Sequence, residues 1–385
     1  MLVVRGVTVS GYRSLRRISF PIENLSVFVG GNGTGKTNLY RALELLQAAA
    51  RGTLTRDLAA EGGMDSAFLA GRRRQGEPAR IHLSATLRHE TTGQDFTYAV
   101  EIGLVPQAGA EIIGAAFRRE PQVKAGRLTL RTGGRAAVIL DRDGRTGFVR
   151  DAAGRKQSLG SDLLPTETAL GGLLDATGQP EIARARQAMT AWRFHHGFRT
   201  DSESPLRRPC LAVTTPTLAS DGSDLAAVFA TLAHIRQDTI DLDAAVDGAF
   251  PGARLIVPEP GREASFGLTI PDFAGRVFAA PELSDGTLRY LALAGALLSY
   301  RLPPFIALNE PETSLHPDLM DPLAQLIARA AERTQIWLVT HSERLAAGVA
   351  QFGGAPPRTV IKRDGETWIA GLKLSGEFAE ADDEE

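Results

Sequence analysis

Gly30-Gly31-Asn32-Gly33-Thr34-Gly35-Lys36-Thr37 satisfies the pattern G-x-x-x-x-G-K-S/T at every fixed position. Glycines let backbone N–H groups turn inward around phosphate oxygens. Lys36 adds a cation for the terminal phosphates, and Thr37 adds a hydroxyl for Mg²⁺. Both flanks suit that chemistry. The apolar run Leu25-Ser26-Val27-Phe28-Val29 reads as a strand, and Asn38 opens the helical stretch Asn38–Ala50, whose N-terminus favours an anion. A glycine-rich turn that happens to precede a lysine would need neither flank. The residues from Gly30 to Asn38 therefore imply a site for a nucleoside triphosphate, with ATP and Mg²⁺ as the expected cofactors.

A second group of chemically capable residues lies between Leu283 and Ser342. Leu283-Ser284-Asp285-Gly286-Thr287 begins a helix, so Ser284 and Gly286 sit where N–H groups and the helix dipole form a second anion site. Taken alone, such a serine is most often a helix cap. Phe305-Ile306-Ala307-Leu308 is a short buried strand that ends in Asn309-Glu310-Pro311-Glu312. Polar groups at the C-terminal end of a buried strand are where a phosphate-loop fold places its metal and water chemistry. Ile336-Trp337-Leu338-Val339 is another buried strand, ending in Thr340-His341-Ser342.

In this order and spacing the segments resemble an ABC-type ATPase. Gly30–Thr37 resembles the Walker A motif, Leu283–Thr287 the signature, Leu308–Glu310 the end of Walker B, Glu312–Pro317 the D-loop and His341 the switch histidine. Gly11-Tyr12-Arg13-Ser14-Leu15 together with Gly31-Asn32-Gly33 is similar to the RecF, SMC and OLD branch of predicted AAA ATPases rather than to transporter subunits. The resemblance implies that Glu310 polarises the attacking water and that His341 holds the γ-phosphate. It also implies that Ser284 and Gly286 act in trans across an ATP-dependent homodimer, and that Arg13 reaches a phosphate or lies exposed in its turn. Work on DNA, in repair or in defence against phage, is the implied setting. Two departures stand out. Asn309 occupies the usual aspartate position, which gives up charge at the Mg²⁺ site. Only 44 residues follow His341, too few for the metal-dependent nuclease domain of OLD proteins. A slow or non-hydrolysing nucleotide switch that docks a separate effector protein is the alternative that Asn309 supports.

The elements that would position these residues are legible in outline. Leu2–Ser10 and Arg17–Phe20 read as strands about a turn, Arg51–Pro78 as loop with broken helix, and residues 79 to 149 as alternating strands with turns at Gly133-Gly134 and Asp143-Gly144. Helices are expected at Ala169–Leu174, Pro180–His196, Asp224–Ile235 and Asp241–Ala249, and strands at Arg254–Val257, Ala264–Ile270 and Val277–Ala279. The expected architecture is α/β: an ABC-type P-loop ATPase head with an added antiparallel β-sheet and a helical lobe. Residues 1–50 and 251–376 would form the ATP-binding core, 51–150 the β-rich insertion, 151–250 the helical lobe and 377–385 an acidic tail.

Composition narrows the class. A net charge of −2 over 385 residues provides no global field toward nucleic acid. Arg72-Arg73-Arg74, Arg118-Arg119 and Arg207-Arg208 are candidate backbone contacts, but charge runs are ordinarily solvated faces. The single Cys210 fits a reducing cytoplasm, and no apolar run is long enough to span a membrane. His195-His196 lacks metal-site partners and reads as structural, while Glu312 and His316 read as dimer-contact or surface residues.

Overall fold

The computed structural model describes residues 1–104, 117, 119–151, 153–159, 163–172, 178–273 and 275–379. Arg118, Leu173-Leu174 and the tail from residue 380 onward lie outside the described residues. The chain forms two compact units, one of Met1–Glu23, Gly30–Trp192 and Thr359–Glu385, the other of Asn24–Val29 and Arg193–Arg358.

The first unit is built on an eight-stranded antiparallel sheet. Its order is Leu15–Pro21, Leu2–Tyr12, Arg80–His89, Asp95–Gly103, Gln122–Thr132, Arg135–Asp143, Thr146–Arg150 and Lys156–Ser158. Strict alternation places Ile81, Leu83, Ala85 and Leu87 on the buried face, opposite Ile102, Val100, Tyr98 and Phe96 of the next strand. Antiparallel pairing of Leu2–Tyr12 with Arg80–His89 ties the N-terminal hairpin to the segment read above as an insertion. This is why the first unit's division runs elsewhere than at residue 50.

The helix Lys36–Arg51 packs on the strands Leu2–Tyr12 and Arg80–His89. Leu39, Leu43, Leu46 and Ala50, spaced at helical period, are at most 1% exposed. Each buried leucine contributes about 2 kcal/mol of apolar transfer. The helix stops at Gly52, whose φ of 83° permits the left-handed cap, and Thr53 N–H donates to Ala48 O at 2.9 Å. A hairpin of Arg358–Arg363 and Glu366–Ile369 completes the described C-terminal part, with Val360 opposite Ile369.

The second unit carries a parallel sheet ordered Arg193–His195, Phe305–Asn309, Gln335–Thr340 and Leu25–Val29. Its strands Leu25–Val29, Phe305–Asn309 and Gln335–Thr340 are mostly apolar, the pattern of strands buried on both faces of a parallel sheet. Phe28 and Trp337 stack on neighbouring strands with ring centroids 4.2 Å apart. Helices Asp285–Leu298, Met320–Ala331 and Glu343–Gly353 supply much of the remaining core.

Two expected helices are corrected. Pro180–His196 is helical only to Thr190, and Arg193–His195 is a strand paired with Phe305–Asn309. The apolar spacing of Ile182, Ala185, Met189 and Trp192 continues the helical period, but sheet pairing at Phe194 overrides it. Asp224–Ile235 is α-helical over Leu225–Ala230 and then widens into a π-turn over Thr231–Arg236. There Thr231 Oγ1 donates to Ala227 O and accepts from Thr215 N–H.

Candidate nucleotide site

The parallel register aligns four strand ends. Val29 pairs with Thr340, Val339 with Asn309, and Leu308 with His195. The residues that follow along the chain are Gly30, His341, Glu310 and His196. One edge of one sheet thus hands the chain to the glycine-rich loop, the carboxylate and both histidines, the arrangement typical of ligand sites in open α/β sheets.

Within the loop, Lys36 Nζ donates to Gly30 O at 2.6 Å and to Gly31 O at 2.9 Å. Gly33 and Gly35 take φ of 77° and 100°, which β-carbons disfavour. At Gly35 there is a second constraint: a Cβ would lie 1.8 Å from Thr367 Oγ1. Thr367 Oγ1 donates to Thr34 O at 2.8 Å, and Asn38 Nδ2 donates to Ser14 Oγ at 2.7 Å. Asn32 and Thr37 are exposed, with Thr37 in the first turn of the helix. Arg13, with φ of 48°, directs its guanidinium to Glu61 Oε2 at 2.9 Å, an oxygen that also accepts from Tyr12 Oη at 2.9 Å. The carboxylate engages Arg13 in this structure, and burial raises the Tyr12 phenol well above its ordinary pKa.

At the end of Phe305–Asn309, Asn309 is 4% exposed. Its Nδ2 donates to His196 Nδ1 at 2.8 Å, and its Oδ1 has no hydrogen-bond partner among the described residues. Glu310 adopts φ of 50° while its N–H donates to Val339 O at 2.7 Å. A left-handed non-glycine residue costs about 1 kcal/mol, and such strain gathers at functional sites. Glu312, read above as a dimer-contact or surface residue, is 6% exposed and accepts from Thr340 Oγ1 and from the N–H groups of His341 and Ser342. His341 Nδ1 lies 3.1 Å from Glu312 Oε1 and 3.9 Å from Glu310 Oε2. Glu312 therefore fixes the turn that presents His341 beside Glu310.

Ser284 caps the helix Asp285–Leu298, accepting from Thr287 N–H at 3.2 Å, and Gly286 opens its first turn. Arg207, one of the arginines considered for nucleic acid, is instead engaged by this segment through Pro281 O, Leu283 O and Asp285 Oδ1. Arg289 joins the same helix to Thr313 O at 2.7 Å and to Phe198 O at 3.1 Å. Arg119 pairs with Asp65, Arg208 with Glu203, and Arg73 lies over the Phe68 ring. His316 is exposed, and its Nδ1 accepts from Asp318 N–H.

Sequence reasoning missed Thr367 and His196 as site residues. Thr367 had no signal, since a lone threonine in a C-terminal hairpin belongs to no motif. His196 was visible as half of a His-His pair, but its neighbour was hidden by reading a helix through it. His195 is 4% exposed, and burial lowers its pKa from 6.5 to about 4, so that it is neutral and structural.

The family described as "AAA domain, putative AbiEii toxin, Type IV TA system" matches residues 25–134 and 185–347. No curated protein matches the chain. Among solved structures, an SMC head bound to the C-terminal winged-helix domain of ScpA is 14% identical with a TM-score of 0.57, covering 97% of this chain and 99% of that one. The SMC head with an extended coiled coil bound to the C-terminal domain of ScpA, derived from Pyrococcus furiosus, is 13% identical with a TM-score of 0.55, covering 97% of each chain. Among the described residues no helix is long and apolar enough to cross a membrane. The chain belongs to this AAA domain family and shares the fold of SMC heads.

Proposed function

We propose that the protein binds ATP with Mg²⁺ and hydrolyses it slowly, closing as a homodimer on ATP. The observation that carries this reading is the shared sheet edge at which Val29 leads into Gly30, Asn309 into Glu310 and Thr340 into His341. Gly30, Asn32, Gly33, Thr34, Gly35, Lys36 and Asn38 bind the phosphates through backbone N–H groups and the lysine cation. Thr37 and Asn309 are the residues that would hold Mg²⁺. The buried, unpartnered Oδ1 of Asn309 is an acceptor suited to a metal-bound water, and the exposed Thr37 hydroxyl is accessible, so the chemistry of the donor set fits. When bound, the cation supplies neutralisation of phosphate charge.

Glu310 orients the attacking water and accepts its proton, and His341, braced by Glu312, contacts the γ-phosphate. Ser284 and Gly286 offer a helix N-terminus to the nucleotide of a second subunit. Arg13 joins the phosphates after exchanging its Glu61 partner. The setting is cytoplasmic, with DNA as the substrate acted on in repair or anti-phage defence. The toxin–antitoxin wording of the family description is compatible with defence.

A second reading is favoured by Asn309: a nucleotide switch that hydrolyses hardly at all and docks a separate effector, as the similar SMC heads dock ScpA. Phosphate release by the purified chain, with saturating Mg²⁺ and with and without DNA at defined salt, separates the two. Wild type should exceed Glu310→Gln by about a hundredfold or more, the scale of general base catalysis. Equal rates in both would leave the switch reading. Light scattering should show ATP raising the dimer fraction, most strongly in Glu310→Gln. Monomer throughout would remove the dimer.

A further inference from the structure

A carboxylate at the end of Phe305–Asn309 would present two equivalent acceptors in either rotamer. An asparagine presents one acceptor and two donors, so it serves a cation or its water only when the amide is turned correctly. Something must hold that orientation. The register supplies a candidate: His195 pairs with Leu308, which brings the next residue, His196, beside Asn309. His196 Nδ1 is 2.8 Å from Asn309 Nδ2. With Nδ2 committed to the imidazole, Oδ1 is the atom left over, and it is fully buried without a hydrogen-bond partner among the described residues. A buried acceptor in that condition has lost its water without replacement, so it marks a place that a donor or cation completes.

We propose that His196 is a positioning residue for the metal end of the nucleotide site: by accepting from Asn309 Nδ2 it aims Asn309 Oδ1 at the hydrated cation that accompanies ATP. The proposal rests on the nucleotide reading above and assigns to the imidazole the task of compensating for the missing aspartate. Outer partners that orient a metal-site group characteristically set metal affinity rather than substrate affinity.

The test uses the full chain, Mn²⁺ as the spectroscopic probe and a non-hydrolysable ATP analogue. Bound Mn²⁺ is read by electron paramagnetic resonance, and analogue binding without metal by calorimetry in EDTA. His196→Ala should weaken Mn²⁺ binding about tenfold, at the lower end of what such partners contribute, and leave metal-free analogue binding unchanged. His196→Asn, whose side-chain oxygen can replace Nδ1 as the acceptor, should restore most of the affinity. In an Asn309→Asp background, His196→Ala should have little effect, because a carboxylate needs no such orientation. Unchanged Mn²⁺ affinity in His196→Ala, or an equal loss in both backgrounds, overturns the positioning role alone. Wild type that binds the analogue but no Mn²⁺ overturns both this role and the metal site. Wild type that binds no analogue at all overturns the nucleotide reading and this proposal with it.

Discussion

The hydroxyls of Ser14 and Thr367, 353 positions apart, share a hydrogen bond of 2.6 Å. The direction of that bond follows from its neighbours. Thr367 Oγ1 spends its proton on Thr34 O, so it accepts from Ser14, and Ser14 Oγ accepts in turn from Asn38 Nδ2. A relay from the first turn of the helix, through two distant hydroxyls and back to the loop, pins the glycine-rich loop before any ligand arrives. Preorganised donors of this kind lower the ordering cost of binding.

Thr367→Val keeps the shape and removes the hydroxyl. It should destabilise the protein by about 1–2 kcal/mol, since Thr34 O and Ser14 each lose a buried partner, and weaken ATP binding measurably. Thr367→Ser should retain both properties. Urea unfolding and nucleotide titration of the two variants check this; a valine variant that binds ATP like wild type would remove the relay from the binding function.

Lys36→Met tests the cradle itself. Lys36 is 3% exposed, and its ammonium is held by Gly30 O and Gly31 O. The variant should bind ATP at least about tenfold more weakly, the equivalent of one charge-assisted hydrogen bond. Because the methionine also forfeits those two carbonyl contacts, stability without nucleotide should fall slightly rather than stay constant. Unaltered ATP affinity by calorimetry would take Lys36 out of the site.

Glu312→Ala should be among the more damaging single changes in the second unit. The carboxylate is 6% exposed and holds Thr340 Oγ1 and two consecutive N–H groups; its loss takes that acceptor from Thr340 Oγ1 and His341 N–H, while Ser342 N–H keeps Thr340 Oγ1, at a cost of about 1–3 kcal/mol. Hydrolysis should fall with it, because His341 loses its brace. Glu312→Gln, which keeps an acceptor, should be milder on both counts. Chemical denaturation showing no loss for the alanine variant would contradict this account of the turn.

The stability of the second unit should respond to acid through His195. Burial lowers its pKa from 6.5 to about 4. Below pH 6.5 the unfolded chain takes up a proton there and the folded chain does not until about pH 4, so stability falls as pH drops through that window and is unaffected above it. The full loss is about 3 kcal/mol, of which about 2 is expressed by pH 5. His195→Phe has nothing to protonate, so the stability lost between pH 7 and pH 5 should be smaller in the variant by about that amount. Parallel losses in the two proteins would show that His195 does not govern this step.

The sequence by itself determined the elements that depend on short, contiguous patterns. The glycine-rich turn from Gly30 to Gly35, the strand before it and the helix after it were legible because the pattern is local: it needs glycine dihedrals at fixed offsets between an apolar run and a helical one. The apolar strands ending at Asn309 and Thr340, and most of the alternating strands of the antiparallel sheet, were legible for the same reason, since side-chain period reports burial directly. Tertiary structure alone decided what depends on which strand lies beside which. The strand Arg193–His195 was read as helix because its apolar residues continue a helical period, and only pairing with Phe305–Asn309 reverses that and brings His196 to Asn309. Burial of Glu312, engagement of Arg13 by Glu61 and the hold of Thr367 on the loop are likewise contacts between segments 28 to 353 residues apart. No local pattern encodes such contacts, because the energy that selects them comes from packing and hydrogen-bond completion across the fold rather than from propensity along the chain.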